Sequence, residues 1–303
     1  MKQVRKMALA LGDVAPSAAL KATIVKKGSR MIARFLLLAG IAVSFSLAGM
    51  AQDESNAAAR AELDSGVQAY KQANYQDAID HFNKAVNLDP EFMVARQYLA
   101  NSYAAQFAPG VDTPENVVWA TNALGQYSEI LRRNPSDIHS IKGVAFLQAQ
   151  LKEFEQAKES YKKAATLDPS DPESFYSIGV MDWSMVSRDI KAEKAKLDAQ
   201  SEDALFLSPA CMDARAAVLA NIDDGIAMLT KAVTLRKDYD DAMAYINLLY
   251  RLRADVECGS QQEHDADVTK AGDWVEEALA TRKRKIDAAA KGSQNEVSDK
   301  PRP

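Results

Sequence analysis

The segment NYQDAIDHFNKAVNLDP at 74–90 returns at 153–169 as EFEQAKESYKKAATLDP. Tyr75 answers to Phe154, Ala78 to Ala157, Phe82 to Tyr161 and Ala85 to Ala164, and both segments end on Leu-Asp-Pro. A chain that rewrites one amphipathic helix in this way is built from units too small to bury their own apolar faces, so the units must stack. Pro90 and Pro169 cannot continue a helix, and each closes its unit. Using the closing positions as markers, Pro135 to Pro169 spans 34 residues and Pro90 to Pro135 spans 45. From Pro169 to Lys237 is 68, and from Lys237 to Lys283 is 46. The underlying period is 34, with insertions.

That period, with small and aromatic residues at fixed places, resembles the tetratricopeptide repeat. Gly66, Tyr75, Ala78, Phe82, Ala85 and Pro90 carry the pattern in a first copy at about 59–92. Leu99, Ala100, Tyr103, Ala123, Tyr127 and Pro135 carry it at 93–137, and Val144, Ala145, Phe154, Ala157, Tyr161 and Ala164 at 138–171. A fourth copy at 172–239 keeps Ile178, Gly179, Leu229 and Ala232, but has Gly225 for an alanine and Lys237 for the proline. A fifth at 240–285 keeps Tyr250, Ala271, Val275 and Ala278. The resemblance implies an all-α solenoid of about five helical hairpins over 52–285. The composition agrees: 47% hydrophobic residues, only 13 Gly and 10 Pro.

The extra residues fall between the two helices of a copy, at 105–117 in repeat two and 259–265 in repeat five; in repeat four the first helix is expected to run on from Glu173 through MDWSMVSRDIKAEKAKLDA and the second to begin near Cys211, with SEDALFLSPA (201–210) a loop between them. They therefore share one edge, either as a binding surface or as loops free to vary. Cys211 and Cys258, the only cysteines, stand on that edge. The repeat register makes their helix ends neighbours, so they either form a disulfide or remain separate thiols.

The first 34 residues carry eight Lys or Arg and one acid, and 35–51 (FLLLAGIAVSFSLAGMA) carry no charge. A basic flank, an apolar run and small residues at Gly49 and Ala51 form a secretory signal pattern. The expectation is a signal peptide over 1–51, with Met31 a possible start, and an exported protein in the periplasm or outside the cell. An uncleaved anchor, the one route to membrane contact, is the alternative. The body from 52 onward has 29 basic residues against 41 acidic. Nucleic acid needs a basic footprint and is excluded on charge. The polar tail at 286–303 is expected to be disordered.

No nucleophile elbow, P-loop, HExxH or CxxC motif is present. His81, His139 and His264 lie in three different repeats with no ligand spacing, so no metal, cofactor or catalytic residue is expected. The resemblance instead implies a groove lined by first helices that accepts a peptide or partner helix. Carried over by position, its residues are Leu63, Val67, Tyr70, Gln97, Asn101, Lys142, Phe146, Tyr176, Val180 and Trp183. Relatives that clamp a carboxylate tail have lysine and asparagine where this chain has Leu63 and Val67, which makes that ligand doubtful. The aromatic positions either anchor apolar side chains of a partner or pack against neighbouring helices. The expected role is a non-catalytic scaffold for a protein partner, with a self-associating subunit of an envelope assembly as the alternative.

Overall fold

In the computed structural model, residues 53–111, 113–197 and 205–298 are described, and their regular structure is helical throughout. The signal segment expected at 1–51 lies outside them. Contacts divide the chain into Met1–Ala61 and Glu62–Pro303. Of the first unit, residues 53–61 are described and are helical. They begin α1 (53–71), which continues into the second unit. There follow α2 (Tyr75–Leu88), α3 (Met93–Gln106), α4 (Pro114–Arg133), α5 (Ile138–Gln150) and α6 (Phe154–Leu167). Then come α7 (Pro172–Lys196), α8 (Cys211–Leu235), α9 (Asp240–Ala254) and α10 (Gln261–Ser298). Helices pair in sequence, α3 with α4, α5 with α6, α7 with α8 and α9 with α10, and each second helix also packs on the next first helix. The five copies read from the sequence are these hairpins.

Local chemistry sets the boundaries. Thr113 caps α4 by accepting from the Asn116 amide, with Pro114 opening the helix. Asp137 caps α5 and Asp171 caps α7 in the same way. In the two uninserted hairpins the tight turn is made by Ala73 (φ 58°) and Lys152 (φ 64°), the same position of the repeat. The longer turns of repeats two and five contain Gly110 and Gly259, both at φ 77°, where a side chain would add strain.

The core explains why small residues recur. Ala78, Ala85, Ala157, Ala164 and Ala232 are completely buried. Gly66 admits the ring of Phe82: a Cβ there would lie 2.5 Å from Phe82 Cε1. The Phe82 ring in turn stacks on Tyr98 of α3, centroids 5.4 Å apart, so one aromatic ties repeat one to repeat two.

Repeat four is lengthened as helix, as expected from the run-on after Glu173, with α7 and α8 each running 25 residues. The added turns build a core of their own from Val186, Ile190, Leu205, Val218, Ile222 and Val256. Leu205 and Phe206, inside the segment expected to be a surface loop, are buried in the structure. Residues 201–204 of that segment lie outside the described ones. The Sγ atoms of Cys211 and Cys258 are 2.05 Å apart, a disulfide across 47 residues with Cα atoms 5.6 Å apart. Around it, Lys194 meets Asp255 at 2.8 Å, and Arg215 pairs with Glu257 while donating to the Val256 carbonyl at 3.0 Å.

The expectation of a disordered tail from 286 needs correction, because α10 continues to Ser298. Residues 287–291 read DAAAK, and alanine propagates an existing helix at the least cost in side-chain entropy. Residues 299–303 lie outside the described residues. Among those described, no helix is long and apolar enough to cross a membrane.

Candidate partner-binding groove

On the first-helix side of repeats two and three lies a cavity of about 830 Å³. Its lining includes Tyr70 of α1, Asn101 of α3, Tyr127 of α4, His139, Lys142 and Phe146 of α5, and Tyr161 of α6. Helical spacing puts His139, Lys142 and Phe146 on one stripe of α5, and the cavity opens over that stripe. Phe146 is 43% exposed, unusual for a phenylalanine in a packed repeat. Gly143 supplies the depth, because a Cβ there would stand 2.4 Å from the Tyr127 ring.

The polar groups of the floor are tied to one another. Tyr127 donates its hydroxyl to Asn101 Oδ1 at 2.6 Å, and His139 Nε2 lies 3.3 Å from the same oxygen. Burial pushes the Tyr127 phenol well above its ordinary value, so it stays a donor across the usable pH range. Lys142 reaches across to Asp171, the cap of α7, at 2.8 Å. Burial alone would raise the Asp171 carboxyl, but bonds from Lys142, Ser174 and the Glu173 amide outweigh it and hold the group below its usual value. The lysine therefore serves the joint between repeats three and four, which leaves the cavity short of a free cation. What remains is an apolar, ring-walled site with amide, imidazole and phenol groups at its floor. Such a site suits an apolar anchor residue with a backbone to hydrogen-bond.

Of the groove positions carried over from the repeat, Tyr70, Asn101, Lys142 and Phe146 meet at this cavity. Gln97 and Val180 are half-buried and stand outside its lining. Leu63 and Val67 pack on the core formed by Ile79, Phe82 and Leu99. Tyr176 and Trp183 belong to a separate ring cluster. Tyr176 lies 4.9 Å from Tyr239 and 5.8 Å from Tyr245, and Trp183 lies 5.1 Å from Tyr245. These two rings join α7 to α9. Burial, with the Tyr245 phenol and the Asp241 and Glu173 carboxylates nearby, pushes Tyr176 up to about 12.

Tyr127, His139 and Tyr161 were missed by position alone. Tyr127 and Tyr161 stand in second helices, at the repeat's ring positions, and Gly143 opposite Tyr127 was the one readable sign that such a ring reaches the groove. The remaining histidines stay local, His81 on Glu62 at 2.7 Å and His264 on Asp265 at 3.1 Å. Among the described residues no three His, Cys, Asp or Glu gather as a metal site.

The tetratricopeptide-repeat sequence profile matches residues 144–171, the copy that carries Phe146 and Tyr161. No curated protein matches the sequence. In structure the chain is similar to the crystal structure of MamA, with a TM-score of 0.52 at 13% identity, over 76% of this chain and 94% of that one. It is similar also to MamA 41-end from Desulfovibrio magneticus RS-1, with a TM-score of 0.51 at 10% identity, over 75% of this chain and 96% of that one. At such identities the likeness is one of fold. The profile places a tetratricopeptide repeat at 144–171, and the stack of helical hairpins around it has the fold of these structures.

Proposed function

We propose that this protein is a non-catalytic scaffold that holds a segment of a partner protein in the groove of repeats two and three. The observation that carries the reading is the ring-lined cavity of about 830 Å³ with Phe146 exposed at its rim. A phenylalanine left in water at a concave site is an unfilled contact, and central aromatic contacts dominate binding energies. The segment that fits carries one large apolar or aromatic anchor, with its backbone meeting Asn101 and His139. A terminal carboxylate is the poorer ligand, since Lys142 is engaged by Asp171.

Photo-crosslinking tests the site directly. A benzophenone amino acid placed at 146 captures the partner, and one placed at Val117 on the insertion edge does not. Capture at 117 with none at 146 would move the site to that edge.

The export reading stands on the basic flank, the apolar run at 35–51 and the paired cysteines. Its expected outcome is a mature protein that begins at Gln52. N-terminal sequencing of protein recovered from the producing cell checks this, and an intact chain found in the cytosol would end it.

A further inference from the structure

Helix α10 is the last helix among the described residues. Asp267, Ala271, Ala278 and Thr281 form its buried stripe, and α9 is its packing neighbour. Beside that stripe runs a second one. Val268, Val275, Leu279 and Ile286 fall within about 40° of arc on the helix wheel. Val268 is 41%, Leu279 61% and Ile286 63% exposed. The 46-residue offset between the last two copies aligns Val268 with Ile222 and Val275 with Leu229 of α8. Both of those are fully buried, in a helix that packs on the following hairpin through α9. The stripe on α10 is therefore the surface that a next repeat would cover.

We infer that its occupant is α10 of a second copy of this chain, packed antiparallel about a two-fold axis at residue 277. The spacing is self-complementary. Positions 268 and 286 are equidistant from 277, and so are 275 and 279. An antiparallel pair then sets Val268 against the partner's Ile286 and Val275 against the partner's Leu279, the isologous pattern a two-fold requires. Charge chooses the direction. Residues 261–280 hold six acids and one base, and 281–290 hold four bases and one acid. Antiparallel packing lays each acidic half on the partner's basic half, where Arg282 and Lys285 also hold Asp240 of their own copy and Arg284 its Glu277, whereas parallel packing stacks like on like. Glu277 is no obstacle at the axis, because it lies on the opposite face and pairs with Arg284 at 2.9 Å. Glu276, on the flank one residue away, meets its own symmetry mate, and Asp265 on the same flank meets the partner's Asp287; these are repulsive contacts of the arrangement.

The surface is distinct from the groove, so the two readings fail separately. Sedimentation equilibrium of the full chain should show a dimer at tens of micromolar. Leu279→Asp should weaken it more than about tenfold with the helical circular dichroism unchanged, since the side chain is exposed in the monomer. Glu276→Gln should tighten it several-fold, and Phe146→Ala should leave it alone. A nitroxide on Asp265→Cys should lie about 36 Å along the axis from its mate in the antiparallel pair, against about 10 Å in a parallel one. A wild-type monomer at that concentration, a dimer untouched by Leu279→Asp, or the short label distance would each overturn the inference.

Discussion

Lys158 of α6 and Asp182 of α7 form an ion pair inside the repeat stack, with Asp182 wholly buried and its Oδ2 lacking a hydrogen-bond partner among the described residues. Asp224 of α8 completes the cluster 2.9 Å from the same ammonium. Three helices from two repeats thus converge on one cation. Two carboxylates sharing one lysine in a poorly solvated site compete for it, and the more buried one is held the less firmly as an anion.

This arrangement predicts an unusual pH response. Burial pushes Asp182 up to about 6 from 3.8, against the pull of Lys158. A group whose folded value is raised keeps its proton longer when folded, so between those values the folded state binds more protons than the unfolded one. Its contribution to stability falls as pH rises through that window and is flat above it. Urea unfolding of the wild type and of Asp182→Asn, compared at several pH values, should show the wild type losing ground to the variant. The total change is about 3 kcal/mol at 1.36 kcal/mol per unit. Wild type gaining on the variant across the window would mean that Lys158 keeps Asp182 ionised throughout.

Glycines in this chain are predicted to respond oppositely to the same substitution. A Cβ at Gly179 would stand 2.4 Å from Leu229 Cγ and 3.0 Å from the Gly225 carbonyl. Gly179→Ala should cost about 1–3 kcal/mol by overpacking where α7 crosses α8. Gly125, in the middle of α4, has nothing within 4 Å of a Cβ. Gly125→Ala should gain about 0.5–1 kcal/mol of helix propensity. Chemical denaturation of the two variants measures both signs.

Reduction of the Cys211–Cys258 bridge should loosen the C-terminal repeats first. Closing a loop across 47 residues contributes about 3–4 kcal/mol on the chain-entropy description. The bridge also holds the 255–260 turn on which Arg215 and Lys194 converge. Hydrogen exchange with and without reductant should show protection lost over 205–285 and retained over 62–171. Uniform loss would mean that the repeats unfold as one cooperative unit, and two free thiols in protein from an oxidising compartment would remove the bridge altogether.

Phe146 and Trp183 should separate binding from stability. Phe146→Ala removes an exposed ring and should cost under about 1 kcal/mol of folding, while weakening the partner by about 2 kcal/mol or more. Trp183→Ala removes a ring wedged between α7 and Tyr245 and should cost about 2–4 kcal/mol of folding. Thermal unfolding and affinity, measured on both variants, should move in opposite proportions. Equal effects on affinity would place Trp183 in the site as well.

The helical class and its hairpin repeat were legible in the chain itself, because they follow from local rules. Prolines end helices at 90, 135 and 169, alanines and glycines recur where backbones meet, and rings fall at fixed distances from them. The neighbourhood of Cys211 and Cys258 also followed, since a repeat register turns sequence offset into spatial adjacency. Other features waited on the packed structure. Position alone could not tell that Phe146 stays in water while Tyr176 and Trp183 are taken up by Tyr239 and Tyr245, because those choices depend on side chains from another repeat. Nor could it reveal that Lys158, 24 positions from Asp182 and 66 from Asp224, shares one interior site with both. A repeat pattern specifies what each unit offers its neighbour. Which offers are accepted, and which surfaces stay open to a partner, depends on the long-range contacts made when the units stack.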